Sequence, residues 1–265
     1  MGVRGVGVAL LAGCAVVMHA AAQESQTIRA SQLPALQVEL QKLAATAQSL
    51  REDLPSFTCT ETAVSQAIKK SKVKEQVRFV AEVRVERTTA GRLDEQLQVT
   101  EVNGKPHSGG RFDPPFMVRG GFGESLFFFL PATQTCFRYS LSPDRIDFES
   151  QPGSFDRDEC RSMGGPRGFA LLDDAGRVTH VERTVPPDLA LQVHAVDSAA
   201  IDFAPIELDG KVYPLAVREV SDARKDDYNL HFEATFTGCH LFKATSRILP
   251  DVTPVPESGS GAPHP

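Results

Sequence analysis

Two short phrases in the sequence set a histidine two residues before a carboxylate, His180-x-Glu182 and His231-x-Glu233. On a strand that spacing puts both side chains on one face, where they could bind a metal ion or orient a general base. The same spacing suits a solvated sheet face on which polar neighbours satisfy one another, and that plainer role is the expectation for both pairs. The sequence contains no G-x-S-x-G, H-E-x-x-H, Walker or calcium-loop pattern, and Ser125 and Cys239 lack an identifiable activating base. "GGFGES" at 120–125 has glycines like those of a dinucleotide fingerprint but lacks the third one and a βαβ context. His240 falls on the apolar side of a long C-terminal strand, as a core histidine rather than a ligand. No catalytic residue, metal site or cofactor is expected.

The residues left to explain are apolar. "GGFGESLFFFLPATQTC" at 120–136 sets Phe127, Phe128, Phe129 and Leu130 side by side, with Phe122 and Leu126 just before them. Fully burying one phenylalanine is worth about 1.5–3 kcal/mol, so this group will not stay in water. It can be plain core, the wall of a ligand cavity, or a docking patch for a partner. The chain has 16 Phe, 3 Tyr and no Trp, and an interior with so few polar tips suits an acyl chain as well as it suits close packing. Phe122, Leu126, Phe127, Phe128, Phe129 and Leu130 are therefore the candidate ligand-binding residues. A short helix ended by Pro131 is the expected form, with a short buried strand as the alternative.

These residues must be positioned by an exported chain. Residues 1–22 join a basic start at Arg4, an apolar run and a small-residue "AAA" before polar "QESQ", which is the build of a secretory signal peptide. "LAGC" ending at Cys14 offers lipidation there as a second outcome, and retention as an anchor is a third. The chain carries a net charge of −6, which argues against nucleic acid as a partner and against adhesion to anionic lipid headgroups. Beyond the signal segment four cysteines remain, Cys59, Cys136, Cys160 and Cys239, with neither C-x-x-C nor zinc-site spacing. An even count in an exported chain points to two structural disulfides. Of three pairings, Cys136–Cys160 closes a local loop and leaves Cys59–Cys239 to tie the first strand to one of the last.

The elements follow from periodicity. Leu36, Leu40, Leu43 and Leu50 repeat at helical spacing over residues 32–52, with Pro34 near the first turn and Pro55 beyond the end. Then the period becomes two. In "VKEQVRFVAEVRVERTT", Val73, Val77, Phe79, Ala81, Val83 and Val85 face one way, and Lys74, Gln76, Arg78, Glu82, Arg84 and Glu86 the other. "AGR" at 90–92 turns the chain into a strand with Leu93, Leu97 and Val99 on one face. Asn103-Gly104, Pro143-Asp144, Ala175-Gly176 and Asp209-Gly210 mark further turns between strands. Residues 104–121 form a long Gly/Pro loop, of a length common in lids and binding elements. Last comes a strand with Leu230, Phe232, Ala234, Phe236, Phe242, Ala244 and Ile248 on one face, followed by a Pro/Gly/Ser tail over 250–265 that cannot build a core. One mainly β (α+β) domain over 23–249 is expected: an antiparallel meander of eight to eleven strands, an N-terminal amphipathic helix and a short inserted apolar helix.

This order of elements, with "LPSFTCTET", "EVNGKP", "GGFGESLFFFLPAT" and "IDFAPIELDGKVYPLAVREV", resembles the periplasmic lipoprotein-carrier superfamily of LolA/LolB-like half-barrels and the related sensor domains of envelope-stress regulators. The resemblance spans most of residues 30–249. It implies a curved sheet whose concave face, covered by helices, can hold acyl chains, and it supplies no catalytic residues. The two disulfides and the Gly/Pro loop depart from the carriers. The expected function is that of a non-enzymatic envelope protein binding a hydrophobic small molecule or lipid. An interaction or sensor module with a filled core, contacting another envelope protein, is the alternative, and a hydrolase the third.

Overall fold

The structure, a computed structural model, describes residues 13–88, 93–119, 121–123, 125–151, 153–154, 160, 165–186 and 196–242, with side chains from residue 33 onward. Residues 1–12 of the expected signal segment and the whole of the expected 250–265 tail lie outside the described residues, as do Ala244 and Ile248. An N-terminal helix, α1 (Gly13–Glu52), precedes four strands: β1 (Phe57–Lys69), β2 (Lys72–Arg87), β3 (Leu93–Val102) and β4 (Lys105–Pro106). A long connection carries a 3-10 turn (Phe127–Phe129) and a one-turn helix, α2 (Pro131–Gln134). Seven strands follow: β5 (Phe137–Ser142), β6 (Arg145–Ser150), β7 (Arg167–Leu172), β8 (Val178–Thr184), β9 (Ser198–Leu208), β10 (Lys211–Lys225) and β11 (Tyr228–Leu241).

All eleven form one open antiparallel sheet in the order β4-β3-β2-β1-β11-β10-β9-β8-β7-β6-β5, curled as a half-barrel. Two meanders meet at its centre, where the first strand pairs with the last. The turn dipeptides do what their chemistry allows. Asn103 and Gly104 both take positive φ, 51° and 76°, as do Asp209 and Gly210 at 53° and 73°, and this handedness matches the twist of the flanking strands.

Strand order dictates the course of the connection between β4 and β5. These are the two edges of the sheet, so residues 107–136 must cross from one rim to the other. They cross the inner face, and their apolar side chains join α1 and the inward strand residues in one core. The helix presents Leu43, Ala47 and Leu50 to that core, and Leu54 just beyond its end joins them. Carbonyls in its last turn and just beyond its end accept hydrogen bonds from the sheet. Arg87 donates to the carbonyls of Arg51 at 2.7 Å and Leu54 at 2.9 Å, and Tyr213 Oη donates to that of Asp53 at 3.0 Å.

Several expectations need correction. The helix starts well before Pro34, which lies inside it. Val73 is 51% exposed because the β1–β2 hairpin projects beyond the core, and alternation on β2 begins to bury side chains only at Phe79. His240 is exposed rather than core. Gly238, at φ 62°, sits where the β1–β11 register slips between Thr58 and Thr60. That bulge exchanges the faces of the residues after it, bringing Cys239 to Cys59 and turning His240 outward. The apolar stretch is not a helix over its length. Only Phe127–Phe129 make a 3-10 turn, and Pro131 opens α2 at its first position instead of closing a helix. A proline costs nothing there, because that N–H would be unpaired anyway.

Candidate functional site

The apolar stretch lies at the bottom of the trough. Phe122 packs edge-on against Phe57 and Phe236, with ring centroids 5.2 and 4.8 Å apart. Phe128 stacks on Phe148 at 4.7 Å and meets Phe137 at 5.6 Å, while Phe129 meets Phe148 edge-on at 5.7 Å. Phe122, Leu126, Phe128, Phe129 and Leu130 are buried, and Phe127 is half-buried. A non-helical apolar turn can be buried only if its carbonyls find donors. Here Thr133 Oγ1 donates to the Phe127 carbonyl, Tyr139 Oη to that of Phe128 at 2.6 Å, and Gln134 Nε2 to that of Phe129 at 2.9 Å. Two disulfides, Cys59–Cys239 and Cys136–Cys160, fix the centre of the sheet and the base of β5.

Between this crossing segment and the sheet lie residues the strand patterns had passed over. Glu61 on β1, Glu95 on β3, Arg183 on β8 and Glu219 on β10 all occupy inward positions. Each stands where alternation calls for an apolar side chain: Glu61 between Cys59 and Ala63, Glu95 between Leu93 and Leu97, Arg183 between Val181 and Val185. A charge in an apolar register was the signal available in the sequence.

Two cavities flank Glu219. The larger, about 100 Å³, has apolar walls from Phe127, Phe128, Val181, Ala199 and Ile201, with Ser125, Arg119, Arg183 and Glu219 among its polar lining. The smaller, about 20 Å³, lies between Glu61, Glu95, Arg119 and Glu219. Gly121 crosses directly over Glu219, and a Cβ there would stand 2.9 Å from Oε2. Ser221 Oγ donates to Glu219 Oε1 at 3.0 Å. The Phe122 amide donates to Glu95 Oε1 at 3.2 Å, and Ser65 Oγ donates to the Phe116 carbonyl at 2.6 Å and accepts from its amide at 2.9 Å. These bonds moor the crossing segment to β1 and β3.

Burial dominates the electrostatics. Glu61 is 5% exposed, and desolvation, reinforced by the negative charges of Glu219 and Glu95 and opposed by Arg119, pushes its carboxyl up to about 7. Glu219, 3% exposed, is also raised, first by burial and then by Glu95, against the hydrogen bond from Ser221 and the charge of Arg183. Burial lowers Arg183 from the usual guanidinium range, with Glu219 opposing. Such a setting disfavours the charged forms of these groups.

The histidine–carboxylate pairs lie elsewhere. His180 and His231 sit on the outer face and bond across to neighbouring strands, His180 Nδ1 with Asp202 at 2.6 Å and His231 Nδ1 with Asp222 at 2.8 Å. Glu182 is 4.0 Å from His180, and Glu233 pairs with Arg218 at 2.9 Å. They belong to a solvated lattice of charges. Among the described residues no group of three His, Cys, Asp or Glu could hold a metal ion, and no helix is long and apolar enough to cross a membrane.

No family model and no curated protein matches this sequence. Among solved structures, the chain is similar to a LolA superfamily protein from Nitrosomonas europaea, with 10% identity, 77% of this chain and 94% of that one covered, and a TM-score of 0.33. It is likewise similar to a DUF1329 family protein from Desulfovibrio piger, with 11% identity, 79% and 94% covered, and a TM-score of 0.38. The resemblance to LolA-like half-barrels is remote and is one of fold.

Proposed function

We propose that this chain is an exported, non-enzymatic envelope protein that holds a hydrophobic ligand, a lipid or acyl chain, on the concave face of its sheet. The observation that carries this reading is the cavity of about 100 Å³ under the crossing segment, walled by Phe127, Phe128, Val181, Ala199 and Ile201. Pockets that enclose a whole small ligand run to about 300–1,000 Å³. An acyl chain would therefore enter by displacing the aromatic turn from the trough, and the turn is suited to that because residues 107–136 contribute no strand to the sheet. Two disulfides accord with an oxidising compartment outside the cytosol. Export is assigned to residues 1–22, with cleavage after Ala22 or lipidation at Cys14 to be separated by intact-mass measurement of the mature protein.

The test is native mass spectrometry of the protein purified from its own host without harsh detergent, paired with titration of a fluorescent acyl probe. Co-purified lipid or saturable probe binding is expected. A ligand-free protein that ignores the probe would overturn the reading in favour of an interaction or sensor module. That second reading draws on the interlocked rings of Phe128, Phe129 and Phe148.

A further inference from the structure

The larger cavity contains a hydroxyl that the protein leaves unsatisfied. Ser125 is 7% exposed, its hydroxyl lines the cavity, and its Oγ has no hydrogen-bond partner. A buried hydroxyl without a partner costs about 1–3 kcal/mol in a native protein. Arg183 lines the same cavity from β8. Its counter-charge is Glu219, but among the described residues its guanidinium makes no hydrogen bond and no ion-pair contact. Arg119 completes the polar wall from the exposed rim. A planar fork of N–H donors beside a free hydroxyl is the arrangement that carboxylates and phosphates complement.

We infer that this cavity is the seat of an oxyanion, the carboxylate or phosphate head of a single-chain amphiphile, with its hydrocarbon tail lying where the aromatic turn now packs. The inference rests on the lipid-binding reading and narrows it to a head-group class. The charges facing the space agree with it: two guanidiniums, Arg119 and Arg183, against the single carboxyl of Glu219. Burial raises the pKa of that carboxyl, which weakens its repulsion of an anion. Glu61 and Glu95 line the smaller cavity on the other side of Glu219. Arg183 also borders an open groove of about 340 Å³ between β6, β7 and β8, floored at Gly168, so the guanidinium stands between the inner cavity and a surface depression.

The experiment displaces a fluorescent acyl probe from the purified protein at pH 7 with four ligands of one chain length: dodecanoate, dodecyl phosphate, dodecanol and dodecylamine. Dodecanoate or dodecyl phosphate should displace the probe at roughly 10- to 100-fold lower concentration than the alcohol or amine, the factor expected of charge-assisted hydrogen bonds. The stronger of the two identifies the head. Arg183→Met should erase the preference, and Arg183→Lys should keep part of it. Equal displacement by all four would overturn the oxyanion site and leave the lipid-binding reading standing. Displacement by none would overturn that underlying reading. A preference that survives in Arg183→Met would remove Arg183 from the site, and the wild-type series decides the head group even if that variant fails to fold.

Discussion

On the outer face of β8 to β11, Arg218 reaches Asp202 at 3.3 Å and Glu233 at 2.9 Å, while His180 and His231 bond to Asp202 and Asp222. On the inner face of the same strands, Arg183 and Glu219 meet cavities, and Glu61 across β11 has no ion pair among the described residues. The outer charges are solvated as well as paired, so each contact contributes little. Glu61 and Glu219 are buried and Arg183 is half-buried, and none of these three has an ion pair among the described residues, a setting that desolvation makes expensive. A fold needing only stability would place apolar side chains there, as it does at Ile201 and Val181 on neighbouring positions. The contrast sets the inner charges apart from the apolar packing around them.

That contrast can be broken by substitution. The largest effect is expected from the rings: Phe128→Ala should cost about 3–5 kcal/mol in denaturant unfolding, because Phe128 is buried against Phe137 and Phe148. If the trough accepts acyl chains, the same variant should take up the acyl probe more readily. Next comes Glu61→Gln. The folded-state pKa of Glu61, about 7, lies above its ordinary 4.5, so its protonated form stabilises the fold fully below pH 4.5 and that contribution is lost as pH rises through 7. The variant should match wild type near pH 4 and exceed it at pH 8 by up to about 3 kcal/mol, read from unfolding curves at both pH values. A constant difference across this range would mean that Glu61 is not desolvated. The smallest effect belongs to the outer face, where Arg218→Gln should change stability by only about 0.2–1 kcal/mol, and less in high salt.

Much of the fold could be read from local pattern. Strict alternation in β2 and turn pairs such as Asn103-Gly104 and Asp209-Gly210 encode hairpins through contacts between near neighbours, so no long-range knowledge was needed. The apolar stretch was harder. Phe127 to Leu130 are apolar on every side, so periodicity carries no face, and their shape comes from fitting beside α1, β5 and β6 and from the donors on Thr133, Gln134 and Tyr139. The inner charges were visible as faults in an apolar register. Glu95 stands between Leu93 and Leu97, and reading the leucines without the glutamate between them hid the site. His240 departs from its pattern for a different reason, since a single bulge at Gly238 inverts parity and alternation cannot announce it.

The pairing of β1 with β11 has a consequence for how the molecule is made. Cys59 is synthesised first, yet its partner Cys239 follows 180 residues later, and Cys136 and Cys160 emerge in between. Oxidation in order of appearance would join Cys59 to Cys136, so the nested pattern requires Cys59 to wait or to be reshuffled, over seconds to hours without help. The sheet where its first and last strands pair is thus closed by cysteines 180 residues apart, the bond that waits longest for its second partner.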